Sequence, residues 1–574
     1  MYGVNLTPGP ENGNAQIIGT DGFGAIADLP ISTSWDLEGF LRNIRKENIA
    51  AEWATRAKGA VSLFVFERFT SRVLILPDAL GASLVHYYEK DGIRAASSSL
   101  QELINTLRQI GIAPKKSLKF AIELVIATNG GLTPSSFENV KTLDIMHFLE
   151  IQTDKLVIHR YRNLNLAPDP DLEYEEVIER SSKEITDTVI AASRLKTDAS
   201  ICHLTGGFDS RLVAAATIKA GVSDSFKFFC QGDPVLPDKQ LAEQVASELN
   251  LVMTDYSGVS TLRAPSDFGS GLVGPMKYSY GILPVGPHQG NTFSDSVILS
   301  GGYGGTFRST YDYRLKDRAS TVTSGELGRG LWGEYLFAGG DNSLISKEFH
   351  RFLSTKMEDK MNQGRNEGIH EDALGDFLYL QTRARYFIAH ITSSWNTLSR
   401  RVDPLYSPLA IQTALSQPLS QRSGNGIGFD IASKLEPRIL AYPFDSKKFD
   451  HATFLHQKTV EQTDFTSGPV EYDSKSNPRP ELVDFGYLKI PKVTKADVEL
   501  AKTMKARAYQ IAGRNNVRVA INELLGSIPK NELSELFNLE ELDKLRKRPA
   551  NTRVRIRTLF NLYGSLAWYL DATD

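Results

Sequence analysis

Cysteine is scarce in this chain. Its 574 residues include two, Cys202 and Cys230, too few for a disulfide framework or a cysteine-rich zinc module. Such a chain suits the reducing cytosol. Long apolar runs are lacking too, and none reaches the roughly 18 residues needed to span a bilayer. The opening MYGVNLTPGPENGN has neither the basic start nor the apolar run of a secretory signal. A soluble, cytoplasmic protein without a membrane partner is therefore expected. An excess of one charge is also missing, since 65 Lys and Arg face 68 Asp and Glu. A dedicated nucleic-acid binder is normally basic, so no nucleic-acid partner is expected.

The chain is long enough for two or three domains, and its 41% hydrophobic and 23% charged residues are ordinary globular values. The first third reads as strands at Ala60–Phe66, Val73–Leu76, Leu84–Tyr88, Met146–Ile151 and Leu156–Tyr161. Helical patterns interrupt them at Leu37–Arg45 and Leu100–Arg108. Strands in hairpin order with inserted helices predict an α+β layered domain. Asn163–Asp171 (NLNLAPDPD) carries two prolines and no periodicity, the marks of a linker.

An amphipathic helix is expected over Tyr174–Arg194, and a different alternation follows it. Strands are predicted at Ser200–Leu204, Ser225–Cys230 and Ser296–Leu299, with helices at Arg211–Ala220 and Lys239–Leu249 between them. This order implies parallel strands with crossover helices. From Glu326 onward the chain reads as mostly helical, apart from the polar excursion Thr459–Lys489.

Two glycine clusters stand at the ends of these strands. The first is Leu204-Thr205-Gly206-Gly207-Phe208-Asp209-Ser210. Glycine permits close backbone approach to a ligand, and a helix start there favours an anion. Thr205 and Ser210 add hydroxyls. Asp209 suits a Mg²⁺ ion held between phosphates better than bare phosphate. The second cluster is Ser300-Gly301-Gly302-Tyr303-Gly304-Gly305-Thr306-Phe307-Arg308. In an open parallel sheet both would lie beyond the carboxyl ends of strands, where ligands bind. A plain glycine turn is the alternative for each.

The first cluster resembles the pyrophosphatase loop, SGGxDS, of enzymes that split ATP into AMP and pyrophosphate, with Thr205 in place of the first serine. Together with the second cluster, the chain resembles the asparagine synthetase superfamily, which includes β-lactam and carbapenam synthetases and lasso-peptide cyclases. Asp78-Ala79-Leu80-Gly81 with His86-Tyr87-Tyr88 is similar to the family's RDPLGxRPLYY stretch, and Ala95–Leu100 to its FASELKAL stretch. Arg401-Val402-Asp403-Pro404-Leu405-Tyr406-Ser407 resembles RVPFLD, with Ser407 at the last Asp.

The resemblance implies an N-terminal glutaminase-like (Ntn-type) α+β sandwich over residues 1–165. It is followed over 172–574 by an adenine nucleotide α-hydrolase-like α/β synthetase domain with a helical C-terminal region. Tyr2 stands where asparagine synthetases carry their nucleophilic cysteine, and a phenol of pKa near 10 is a poor acyl-transfer nucleophile. The first domain is thus expected to lack glutaminase activity, as in β-lactam synthetases and lasso cyclases.

The implied activity is ATP-dependent amide, lactam or isopeptide bond formation through an acyl-adenylate, in specialised-metabolite or modified-peptide biosynthesis. The implied alternatives are an ammonia-dependent asparagine synthetase and a degenerate binding or scaffold member. The implied cofactors are ATP and Mg²⁺. Leu204, Thr205, Gly206, Gly207, Asp209, Ser210, Cys230, Gly302 and Gly304 are the implied nucleotide-binding positions. Asp209 and Thr306 take the metal-ligand positions, Thr306 standing where the family has a second aspartate. Tyr303 takes the place that deprotonates the attacking amine in β-lactam synthetases, with Glu334 expected as its neighbouring base. The family's lysine is absent from Ser423–Gly428, and Lys434, Lys447 or Lys448 would have to replace it. The expected partners are a small-molecule or peptide carboxylate and an amine, with a homodimer or a pathway protein as macromolecular options.

Arg383 and Arg385 read as a solvated face of the helix Phe377–Ser394, and His288 as either a turn residue or a pocket residue. The run Lys544–Arg557 holds seven basic residues and reads as a solvated face, with an anionic partner or leader peptide as the alternative.

Overall fold

The computed structural model describes residues 11–12, 15–22, 24–26, 29–31, 49–162, 164–166, 172–232, 237–261, 268–288, 290–312, 342–445, 463–466, 468–473 and 491–572. Tyr2, the expected helix Leu37–Arg45, Glu334, Lys447 and Lys448 lie outside them, as do most of the expected linker and of the excursion Thr459–Lys489.

The first half is built on an antiparallel six-stranded sheet. Its spatial order is Glu11–Asn12, Ala15–Gly22, Val61–Glu67, Arg72–Pro77, His147–Ile151, Leu156–Arg160. Successive strand side chains point to opposite faces, and both faces here are covered. Leu63, Val65, Leu74 and Leu76 pack on one side with Ile49, Trp53 and Ala54 of the helix Ile49–Arg56. Phe64, Ile75 and Leu149 pack on the other with Val85, Tyr87 and Leu143. Tyr87 belongs to the small sheet Val140–Thr142, His86–Lys90, Ile93–Ser97. The helix Leu100–Gln109 begins at Ser99, whose side chain accepts from the Glu102 amide, and buries Leu100, Leu103, Ile104 and Leu107. That spacing of three and four is the reason it lies on the core.

The second half holds a six-stranded sheet with strands β1 (Ala199–His203), β2 (Lys227–Phe229), β3 (Met253–Thr254), β4 (Ser296–Leu299), β5 (Arg400–Val402) and β6 (Tyr472–Asp473). The spatial order is β5-β4-β1-β2-β3-β6, and every pairing is parallel. The helices α1 (Phe208–Lys219) and α2 (Pro237–Glu248) carry the crossovers. Ile201, Phe228, Met253 and Val297 to Leu299 are buried, the continuous apolar character of a sheet covered on both faces. The fold is thus mixed α/β and α+β. β3, β5 and β6 complete a sheet of which the sequence reading shows only three strands.

One buried apolar cluster spans both halves, from Phe120 and Leu124 to Leu566 and Trp568 of the helix Arg553–Tyr569. Among the described residues no helix is long and apolar enough to cross a membrane.

Candidate functional site

From β1 the chain runs through α1 and β2 toward one sheet edge, while β4 lies on the other side of β1. The strand order reverses between β1 and β4, and such a reversal opens a crevice at the carboxyl ends of the strands. Both glycine clusters stand there.

The first cluster turns from β1 into α1. The Leu204 amide donates to the Phe229 carbonyl at 2.9 Å, carrying the parallel pairing one residue past the strand. Two hydroxyls then tie the turn. The Thr205 amide donates to Ser210 Oγ at 3.0 Å, the two hydroxyl oxygens lie 2.9 Å apart, and the Gly207 amide donates to Thr205 Oγ1 at 3.0 Å. Gly207 is the N-cap of α1, which has no side-chain cap, so the helix presents its first amides with the positive end of its dipole. Asp238, in the first turn of α2, accepts from the Gly206 amide at 2.7 Å.

The second cluster leaves β4 and packs directly on α1. A Cβ on Gly301 would lie 2.8 Å from the Ser210 nitrogen, one on Gly304 2.5 Å from the Asp209 carboxyl carbon, and one on Gly302 2.4 Å from Asp403 Oδ1. Glycine is required at these positions by close approach. Arg308 closes the contact. Its Nη1 donates to Asp209 Oδ1 at 2.5 Å and its Nη2 to Asp209 Oδ2 at 2.9 Å, and Nη1 also reaches the Gly304 carbonyl at 3.3 Å. The Arg308 and Asp209 side chains are 30% and 28% exposed, so the pair borders the crevice.

Beyond Arg308 the chain is clamped. Asp376 accepts from the Thr310 and Tyr311 amides, while Asp312 accepts from the Gly375 and Asp376 amides. The buried guanidinium of Arg422 donates to Asp376 Oδ2 at 3.2 Å. Burial, reinforced by Asp376, pushes the Asp312 carboxyl well above its usual range.

The structure brings Leu204, Thr205, Gly206, Gly207, Asp209, Ser210, Gly302 and Gly304 to this one edge. Cys230 follows β2 on the same edge, with its thiol raised to about 11 by burial and then by Asp238. Tyr303 is placed differently. It has a φ of 66°, its ring is 1% exposed, and it lies edge-on to Tyr406 with centroids 5.1 Å apart. Burial pushes its phenol well above the usual range, with Asp78 and Asp403 adding to the effect. Its hydroxyl finds no partner among the described residues. The Tyr303 side chain thus points into the interior, and the expected pairing with Glu334 lies outside the described residues.

The Mg²⁺ donor set does not fit a divalent ion. Both Asp209 oxygens are held by Arg308, and the Thr306 hydroxyl donates to the Tyr303 carbonyl at 2.5 Å. Among the described residues no group of three or more His, Cys, Asp or Glu side chains is arranged to hold a metal. Mg²⁺ beside substrate phosphates takes one or two protein carboxylates, and here the one carboxylate is occupied by Arg308 and the hydroxyl is committed to a carbonyl.

Other expectations are corrected or resolved. Arg385 is not solvated. It is 1% exposed and donates to the Gly81 and Leu143 carbonyls at 3.0 and 2.6 Å, tying the two halves together. Arg383 lies over the Phe387 ring at 4.4 Å. His288 is a turn residue whose Nδ1 accepts from the Gly290 amide. Lys434 pairs with Glu179, and Ser407 caps the helix Pro408–Ser416. Arg308 and Asp238 are the site residues the sequence reading misses. Arg308 had a signal, being the sole Lys or Arg between Ser296 and Asp312. Compared with known families and curated proteins, the chain matches no family model and no curated sequence.

Proposed function

We propose that this chain is an ATP-dependent ligase that forms AMP and pyrophosphate and joins a carboxylate to an amine as an amide, lactam or isopeptide. The observation that carries the reading is the meeting of two glycine clusters with the uncapped start of α1 at the reversal of the parallel sheet. That arrangement suits an extended phosphate chain, because backbone amides approach it without side chains between. The loop lacks the lysine that γ-phosphate transfer loops place at their helix start, which favours attack at the α-phosphate.

A carboxylate oxygen attacks the α-phosphorus, the bond to the β-phosphate bridging oxygen breaks, and pyrophosphate leaves. The amine then attacks the acyl carbon, loses its proton, and AMP leaves. The amides at the start of α1 and the one hydroxyl hydrogen that the Thr205–Ser210 bond leaves over are the donors offered to the phosphate oxygens. Positioning and fixed dipoles supply the rate.

A second reading is a non-catalytic nucleotide-binding member, favoured by the Asp238 carboxylate already seated on the Gly206 amide. The test is trapping with hydroxylamine. The purified full chain is given ATP and a panel of amino-dicarboxylates and short peptides. The ligase reading expects a hydroxamate formed in step with AMP. ATP binding without any hydroxamate across the panel favours the second reading.

A further inference from the structure

The cation at Asp209 is built into the chain. A guanidinium has five N–H groups in a planar fork and stays charged at any ordinary pH. Arg308 uses two of them on the two Asp209 oxygens and one on the Gly304 carbonyl. Among the described residues its Nε hydrogen and one Nη2 hydrogen have no partner and are left for a ligand. The pair is about 30% exposed on both sides, within reach from the crevice yet partly shielded from water. Its geometry is fixed on two sides. Gly304 leaves no room for a Cβ against the Asp209 carboxylate, and the Asp376 cap on the Thr310 and Tyr311 amides holds the chain just beyond Arg308.

We propose that Arg308 takes the place of a protein-bound divalent ion at Asp209. Asp209 orients the fork, and its two remaining N–H groups meet the phosphate oxygens of a nucleotide held at the start of α1. The protein then binds nucleotide phosphates without a metal ion of its own. This rests on the phosphate-binding reading of the loop given above. Asp209 becomes a positioning residue, acting on the ligand through Arg308.

The test is calorimetric titration of the full chain with ATP, once with excess EDTA and once with excess Mg²⁺. The wild-type dissociation constant should agree between the two within about threefold. Arg308→Ala should weaken binding in EDTA by about thirtyfold, the size of lost charge-assisted hydrogen bonds. Mg²⁺ should recover part of that loss, because the freed Asp209 carboxylate is then open to it. Arg308→Lys keeps the charge but not the fork, and should lose about fivefold in EDTA. Circular dichroism checks the fold of both variants, and Arg308→Lys carries the comparison if Arg308→Ala does not fold. Loss of wild-type binding in EDTA, or variants that bind as well as wild type there, overturns the role of Arg308 and leaves the phosphate-binding reading standing. No ATP binding by the wild type in either buffer overturns that reading, and the role of Arg308 with it.

Discussion

The Tyr406 hydroxyl donates to Asp78 Oδ1 at 2.6 Å, joining residues 328 positions apart. Both groups are buried. The same hydroxyl accepts from the Leu80 amide at 3.0 Å, and Asp78 also accepts from the Ala82 and Ser83 amides. The first half of the chain is thereby tied to the segment after β5, whose Tyr406 ring packs on Tyr303 of the second glycine cluster.

Tyr406→Phe removes a donor from a buried carboxylate and an acceptor from a buried amide. Leaving buried polar groups unpaired costs about 1–3 kcal/mol each. Urea unfolding should therefore show a stability loss of about 2–6 kcal/mol. An unchanged midpoint would show that the link carries no stability.

Acid should destabilise the fold. Burial lowers His86 to about 3, and lowers His203 and His390 to about 3 and about 4. The unfolded chain takes up these protons near 6.5, so it binds more protons than the fold as pH drops below that value. Stability then falls by about 1.4 kcal/mol per pH unit for a fully buried histidine. Asp78 acts oppositely. Burial raises it to about 6, so the fold gains from its protonation between pH 6 and pH 4. Asp312 and Asp403, which burial also raises, act with Asp78, and His288 and His350, which burial also lowers, act with the other histidines, so five histidines stand against three carboxylates and leave a net loss. The urea midpoint should fall steadily from pH 7 to pH 5, and a rising midpoint would contradict the neutral buried histidines.

Much of the second sheet is legible in the sequence because its central strands are continuous apolar runs. Ser296–Leu299 has the same limits in both readings, and Ala199–His203 is offset by a single residue. Met253–Thr254, Arg400–Val402 and Tyr472–Asp473 are two or three residues long, too short to show a period. Arg385 misleads because a charged residue on a helix reads as solvated, whereas here carbonyls of a distant segment satisfy it. The glycine clusters are visible in sequence, but nothing local says that Arg308 turns back onto Asp209, 99 positions earlier.

Tyr303→Phe should be harmless. The Tyr303 hydroxyl is buried and without a partner among the described residues, and deleting an unsatisfied buried polar group is neutral or stabilising. The melting temperature should stay level or rise, and hydroxamate formation should be unchanged. A hundredfold fall in product formation with intact adenylation would restore Tyr303 as an acid-base group.

Gly304→Ala should strike the site without touching a functional side chain by name. The new Cβ would collide with the Asp209 carboxylate, so Asp209 and Arg308 must shift together. ATP affinity should drop at least tenfold while the far-ultraviolet circular dichroism spectrum holds. Wild-type affinity would mean that the contact of the two glycine clusters does not shape the phosphate site.

The most direct measurement is the identity of the nucleotide products, read by phosphorus-31 NMR during turnover with the carboxylate and amine that give the strongest hydroxamate signal. The account predicts AMP and pyrophosphate in equal amounts, with turnover falling at least a hundredfold in Asp209→Asn, which loses the charge that orients Arg308. ADP and inorganic phosphate as products, or full turnover in Asp209→Asn, would contradict it.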